Sequence, residues 1–262
     1  MELWTAKPDI ILNYSGVCFE SRLASLCPDV AVVDFSSLDG TNCYVDPDSY
    51  DDMRSLLAGC PVKGLHWIDT GDYHYATKLF LEKIGKPFAL LLLDHHPDMQ
   101  RPAFPVLSCG SWLRDSLEEL PNLKHATIVG ISDDLSAECD GFPGRTSVFT
   151  ESTSTGSLAD SIAESIPSDI PIYISIDKDV LSSEYARTDW DQGSMSLETC
   201  FDILSKVLKK NEIIGIDLCG GITLSKGASD ADFAINNETD RKLLHFLTSV
   251  AAIDDKNPKI IV

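Results

Sequence analysis

Six consecutive apolar residues, Phe88-Ala89-Leu90-Leu91-Leu92-Leu93, run without interruption and stop at Asp94-His95-His96-Pro97-Asp98. A strand with one wet face alternates apolar and polar side chains. An unbroken apolar run of this length belongs instead to a parallel strand covered on both faces. This feature commits the chain to helices packed on either side of a sheet, and the remaining sequence agrees. Strands are expected at 10–12, 30–33, 65–68, 126–129, 147–149, 172–176 and 213–216. Helices are expected between them at 47–57, 75–84, 111–120, 158–166 and 196–210, and after the last strand at 238–250. Asp46, Ser196 and Asn237 serve as N-caps, and Pro47 occupies a first helical position, where its missing N–H costs nothing. The alternation implies right-handed βαβ units and a mostly parallel sheet, in one α/β domain over residues 1–262. In such sheets ligands bind at the carboxyl ends of the strands.

The formal net charge is −20. It argues against nucleic acid, whose phosphates need a basic footprint, and suits metal ions or small substrates bearing an amine or guanidine. No apolar run is long enough for a membrane helix. Met1-Glu2-Leu3-Trp4-Thr5-Ala6-Lys7-Pro8 lacks a basic segment followed by an apolar one, so a cytoplasmic protein is expected. Eight cysteines occur, none in a C-x-x-C pair, which reads as free and mostly buried thiols.

The polar ends of two strands carry the chemistry. In extended backbone Asp94, His96 and Asp98 share a side and His95 faces away; Asp177 and Asp179 share a side and Lys178 faces away. Gly71-Asp72-Tyr73-His74 ends a third strand and brings His74 to the same edge. Carboxylates gathered this way must raise their pKa values or bind a cation. Oxygen-rich ligands with some imidazole favour manganese or a similar ion over zinc–thiolate chemistry. Two such ions could share bridging carboxylates and hold a hydroxide between them.

At these residues the sequence resembles the ureohydrolase family, which includes arginase, agmatinase and formiminoglutamase. Its motifs Gly-Gly-Asp-His, Asp-Ala-His-x-Asp and Ser-x-Asp-x-Asp stand here as Gly71-Asp72-Tyr73-His74, Asp94-His95-His96-Pro97-Asp98 and Ser175-Ile176-Asp177-Lys178-Asp179. The resemblance implies an arginase-like three-layer αβα sandwich and a binuclear manganese site. His74, Asp94, Asp98 and Asp177 would hold one ion, and Asp94, His96, Asp177 and Asp179 the other. Asp98 would also accept a hydrogen bond from the reacting hydroxide. Several positions depart from the pattern. Tyr73 replaces the aspartate before the histidine, Cys109 the pocket histidine, Ser182-Ser183 an Asp-Pro pair, and Gly220 the glutamate that grips a guanidinium.

The metal-binding half of the pattern is thus retained and the guanidine-recognising half is not. The expected function is hydrolysis of C–N bonds in linear amidines or guanidines by two divalent ions, with an altered pocket and arginine as a poor substrate. Cys109 and Glu198 are expected in that pocket. Cys109 precedes a helix, where free N–H groups would lower its pKa, but it is read as pocket wall rather than nucleophile. The alternatives are a metal-dependent deacylase or amidohydrolase, and a non-catalytic binding protein on the same scaffold. A small cationic substrate is the expected partner, with self-association into a homo-oligomer left open. Of the remaining singular residues, His66 reads as a core histidine and Trp190 as either pocket wall or surface anchor.

Overall fold

In the computed structural model, which describes residues 8–26, 30–101, 104 and 106–255, the apolar run is strand β4 (Phe88–Leu93). Every residue of β4 is buried, as two covered faces require. Leu90 and Leu92 point into one core with Tyr75, Phe80 and Trp112, while Ala89, Leu91 and Leu93 point into another with Ile162, Ile203 and Leu243. The other strands are β1 (Pro8–Asn13), β2 (Ala31–Asp34), β3 (Leu65–Trp67), β5 (Leu123–Ile131), β6 (Thr146–Thr150), β7 (Ile172–Asp177) and β8 (Ile213–Cys219). All eight form one sheet in the order β2-β1-β3-β8-β7-β4-β5-β6, and every pairing is parallel.

Two short helices, α1 (Val17–Glu20) and α2 (Leu23–Leu26), follow β1 and were not anticipated. Then come α3 (Pro47–Leu56), α4 (Thr77–Leu81), α5 (Trp112–Glu119), α6 (Leu158–Ser165), α7 (Leu197–Lys210) and α8 (Asp230–Asp255). Helices α3, α4 and α5 cover one face, and α6, α7 and α8 the other. The result is a three-layer αβα sandwich. Asp46 and Ser196 cap α3 and α7 through their side chains, as expected.

Two helix boundaries differ from expectation. Residues 71–76 wind as a tight 3-10 helix before α4 begins at Thr77. Helix α8 starts at Asp230, so Asn237 lies inside it rather than at its cap. Its inward stripe is Phe233, Asn236, Thr239, Asp240, Leu243 and Leu247. Three polar members interrupt the apolar periodicity that would have revealed the helix. No described helix is long and apolar enough to cross a membrane.

The strand order positions the site. The chain builds β2-β1-β3, crosses to β4, continues outward to β5 and β6, and returns to fill the gap with β7 and β8. The carboxyl ends of β3, β7 and β4 therefore converge where the order reverses, the place where such sheets bind ligands.

Candidate metal centre

The register of β4 against β7 pairs Leu93 with Ile176, so Asp94 and Asp177 are the next residues along two adjacent strands. Both continue the parity that faces the α3–α5 layer. Beyond Asp94 the chain turns back, and Asp98 takes a left-handed conformation (φ 51°) that returns its carboxylate to the cluster. Trp112 Nε1 donates to Asp98 Oδ2 and holds it there. Asp177 ends β7 and caps a 3-10 turn at Lys178–Val180, its Oδ1 accepting from the Asp179 N–H at 3.0 Å. The turn swings Asp179 toward His96, while Lys178 crosses to the opposite layer and pairs with Asp240 at 2.8 Å.

All six expected ligands meet. His74 Nδ1 lies 3.2 Å from Asp94 Oδ2, 3.0 Å from Asp98 Oδ2 and 3.5 Å from Asp177 Oδ2. His96 Nδ1 lies 2.9 Å from Asp179 Oδ2 and 3.7 Å from Asp94 Oδ1. Two donor groups result, His74–Asp94–Asp98 and Asp94–His96–Asp179, with Asp94 in both. Asp177 joins the first group through Oδ2, but its Oδ1 is occupied by the turn it caps. Cys219, opposite Asp177 on β8, forms a third group with His74 and Asp177. Sequence reasoning had not singled it out.

The electrostatics are those of a cation site. Burial first, then the neighbouring acids, raise Asp177 to about 8 and Asp179 to about 6. Burial also raises Asp98. For His96, burial would lower the pKa, but Asp179 and Asp94 prevail and lift it to about 11. His74 is raised in the same way by Asp94 and Asp98 against the effect of burial. Its far nitrogen, Nε2, is 2.9 Å from Ser175 Oγ, which donates to Asp217 Oδ1 at 2.6 Å. With its own hydrogen committed to Asp217, Ser175 receives Nε2–H, and the Nδ1 lone pair is left facing three carboxylates. Only a proton or a metal ion makes that arrangement favourable. Asp94 Oδ2, buried, receives no hydrogen bond among the described residues. The donor set thus fits hard to borderline divalent ions.

The cluster floors a cavity of about 180 Å³. Its remaining wall includes Cys43, Tyr44, Gln100, Cys109 and Trp190. Trp190 is therefore pocket wall: its Nε1 donates to Asp72 Oδ1 at 2.9 Å and its ring stands edge-on to His96. A side chain at Gly71 would come within 2.8 Å of that ring. Asp72 turns away from the ligands to Trp190 and Asn42, and Tyr73 stacks on Tyr14.

Cys109 lines the cavity, but its thiol is not acidified. Its hydrogen bond to Cys43, then burial, push its pKa far up. Glu198 is not in the pocket wall. It is exposed on the first turn of α7, a helix whose buried side packs on the opposite layer. Glu184, in the loop after Asp179, is exposed as well. Gly220 has φ 89°, and any side chain there would collide with the Asp177 carboxylate. His66 is a core histidine, stacked on Phe80 with burial lowering its pKa to about 3.

Comparison with known proteins supplies the family and the fold. Residues 66–220, more than half of the chain, match the model of the arginase family. An uncharacterised protein of Thermotoga maritima is 29% identical over 212 residues, 80% of this chain and 78% of that protein. The agmatine ureohydrolase of Thermoplasma volcanium superposes with a TM-score of 0.66 at 14% identity, covering 96% of this chain and 92% of that one. Proclavaminate amidino hydrolase from Streptomyces clavuligerus gives the same TM-score at 17% identity, covering 96% and 98%. At these identities the superpositions speak for the fold, and the sequence match supplies the family: the chain belongs to the arginase family.

Proposed function

We propose that this protein hydrolyses a C–N bond of a small amidine or guanidine, using two divalent ions, manganese by preference, held by His74, Asp94, His96, Asp98, Asp177 and Asp179. The observation that carries this reading is the pair of His–Asp groups sharing Asp94 at the floor of one cavity. Divalent ions held there would lower the pKa of water and polarise the carbon it attacks. The protein's own residues do the rest. Ser175 and Asp217 fix the tautomer and direction of His74. Trp112 holds Asp98, which we place against the attacking water as the acceptor of its proton.

The substrate differs from arginine. Every carboxylate lining the cavity is one of the proposed ligands, and Gly220 cannot be substituted without displacing Asp177. A guanidinium buried without its own carboxylate is strongly disfavoured. The wall offers neutral groups instead: the Gln100 amide, the Tyr44 phenol, two thiols and the Trp190 ring.

The test is a turnover screen of manganese-loaded protein against linear guanidines, formimino compounds and short amides, following urea or ammonia release. Metal-dependent release from an amidine or guanidine, with arginine among the poorest, is expected. Metal-loaded protein inert to the whole panel would favour a binding protein on this scaffold. Rapid urea release from arginine would overturn the assignment of a neutral pocket.

A further inference from the structure

Two of the cavity's wall residues are thiols, brought together from distant parts of the chain. Tyr44 and Ser108 form an antiparallel bridge. On one side of it the Cys109 N–H donates to Cys43 O at 2.8 Å, and on the other the Val45 N–H donates to Leu107 O at 3.0 Å. One step along this isolated bridge, Cys43, itself in the left-handed region (φ 59°), stands opposite Cys109. Opposed residues of an antiparallel pair have Cα atoms about 4.5–5.5 Å apart. A disulfide spans Cα separations of about 4.4–6.8 Å. The two thiols shift each other's pKa, and the Cys43 S–H donates to Asp72 Oδ1 at 3.3 Å.

Both segments are held in place. Tyr75 O–H donates to Thr41 O at 2.6 Å, and Asn42 Nδ2 donates to Asp72 Oδ2 at 2.6 Å. The Ser108 N–H and O–H both donate to Ser111 Oγ. Little conformational freedom remains to be lost on joining the two sulfurs. The two thiols are also unequal. The hydrogen bond from Cys109 lowers the Cys43 pKa, burial and Asp72 oppose it, and the Lys226 charge assists. Cys43 is partly exposed and Cys109 buried, so an incoming reagent meets Cys43 first.

We propose that Cys43 and Cys109 form a modification site, a dithiol that closes to a reversible disulfide in the wall of the metal cavity. The oxidant is an organic disulfide such as glutathione disulfide. The Cys43 thiolate attacks one of its sulfurs, forming a mixed disulfide and expelling one glutathione thiolate, which takes up the proton Cys43 gave to solvent. Cys109 then attacks the Cys43 sulfur. Its S–S bond to Cys43 forms, the bond to glutathione breaks, and the second glutathione leaves with the Cys109 proton. Two protein thiols are oxidised, and one glutathione disulfide is reduced to two thiols. In a reducing compartment such a bond is transient, which suits a switch rather than a staple. Its closure ties residues 42–44 to 107–110 beside the ligand cluster and removes two hydrogen-bonding thiols from the cavity wall.

The experiment equilibrates reduced, full-length protein in glutathione buffers of rising disulfide-to-thiol ratio. It then quenches with acid, alkylates the remaining thiols and maps cross-links in a non-reducing digest by mass spectrometry. A Cys43–Cys109 cross-linked peptide is expected to accumulate before any other cysteine reacts and to vanish with dithiothreitol. Cys109→Ser should instead hold a glutathione adduct on Cys43, which confirms the order of attack. Wild-type protein that accumulates glutathione adducts on either residue without a cross-link overturns the proposal. So does a pair that stays free while other cysteines oxidise.

Discussion

Asp94 sends one carboxylate oxygen to each half of the cluster, Oδ2 toward His74 and Oδ1 toward His96. Replacing it by Asn removes a charge that both proposed ions would share, whereas His74→Ala removes a ligand from one. Elemental analysis after manganese loading should therefore fall from about two ions per chain to near none in Asp94→Asn, and to about one in His74→Ala. Full occupancy in Asp94→Asn would remove it from the ligand set. Gly220 makes a second residue-scale prediction. A methyl group there meets Asp177, and φ 89° is costly for any L side chain, so Gly220→Ala should lose about 1–3 kcal/mol in denaturant unfolding and bind metal weakly. Unchanged stability and metal content would mean that β8 relaxes freely beside Asp177. The six proposed ligands were legible because each sits in a short motif at or just beyond a strand end. Their supports were not. His74 leans on Ser175 across 101 positions of chain, the cavity-wall Trp190 is held by Asp72 across 118, and no local pattern encodes a partner at that distance. Nor does any motif mark Cys43, whose place against Cys109 follows from one isolated bridge.

Among the elements, β7 does two jobs with consecutive residues. Asp177 and Asp179 face the cavity, and between them Lys178 crosses to the other layer and meets Asp240 of α8. Both members of that pair are buried. Removing one partner leaves the other charge uncompensated in a low dielectric, so Lys178→Met should destabilise by about 3–5 kcal/mol. The double variant Lys178→Met with Asp240→Leu should recover most of the loss, because an apolar pair of similar volume replaces a desolvated one. A double variant no better than the single would show that the pair fixes the angle of β7 rather than neutralising charge. The sequence already suggested that Lys178 turns away from its acidic neighbours, since period-two alternation places it there. Its partner is hidden for the same reason that α8 begins earlier than its sequence pattern shows. Asn236 accepts the Arg187 N–H and donates to Arg187 O, and Asp240 serves Lys178, so the inward face of that helix reads as polar. Strands announce burial through apolar runs; a helix that buries its polar side chains against specific partners does not.

At the scale of the whole molecule, the βα alternation foretold a sheet covered on both faces, but the strand order is a long-range outcome that only packing decides. That order concentrates carboxylates of an already acidic chain of net charge −20 at one edge. The consequence is measurable as a dependence of stability on pH. Burial raises Asp177 to about 8, helped by Asp179 and Asp94, and raises Asp179 to about 6, helped by Asp94. His96 is raised to about 11, its acidic partners outweighing burial. All three lie above their unfolded values of about 3.9 for a carboxyl and about 6.5 for imidazole. The folded, metal-free chain therefore binds more protons than the unfolded chain across those intervals. The contribution of these groups is fully present below the unfolded values and is lost as pH rises, between about 4 and about 8 for the acids and up to about 11 for His96. Metal ions need the same groups deprotonated, so they bind more tightly as pH rises and release protons when they do. Thermal unfolding of manganese-loaded and chelator-treated protein should thus diverge, the gap in melting temperature widening from about pH 6 to about pH 8.5. Calorimetric titration of manganese in buffers of different ionisation enthalpy should show proton release near neutral pH. A gap that stays constant, with no proton release, would mean that the carboxylates are already ionised in the metal-free fold. The cluster would then be satisfied without a cation, against the reading of His74 and Asp94 given above.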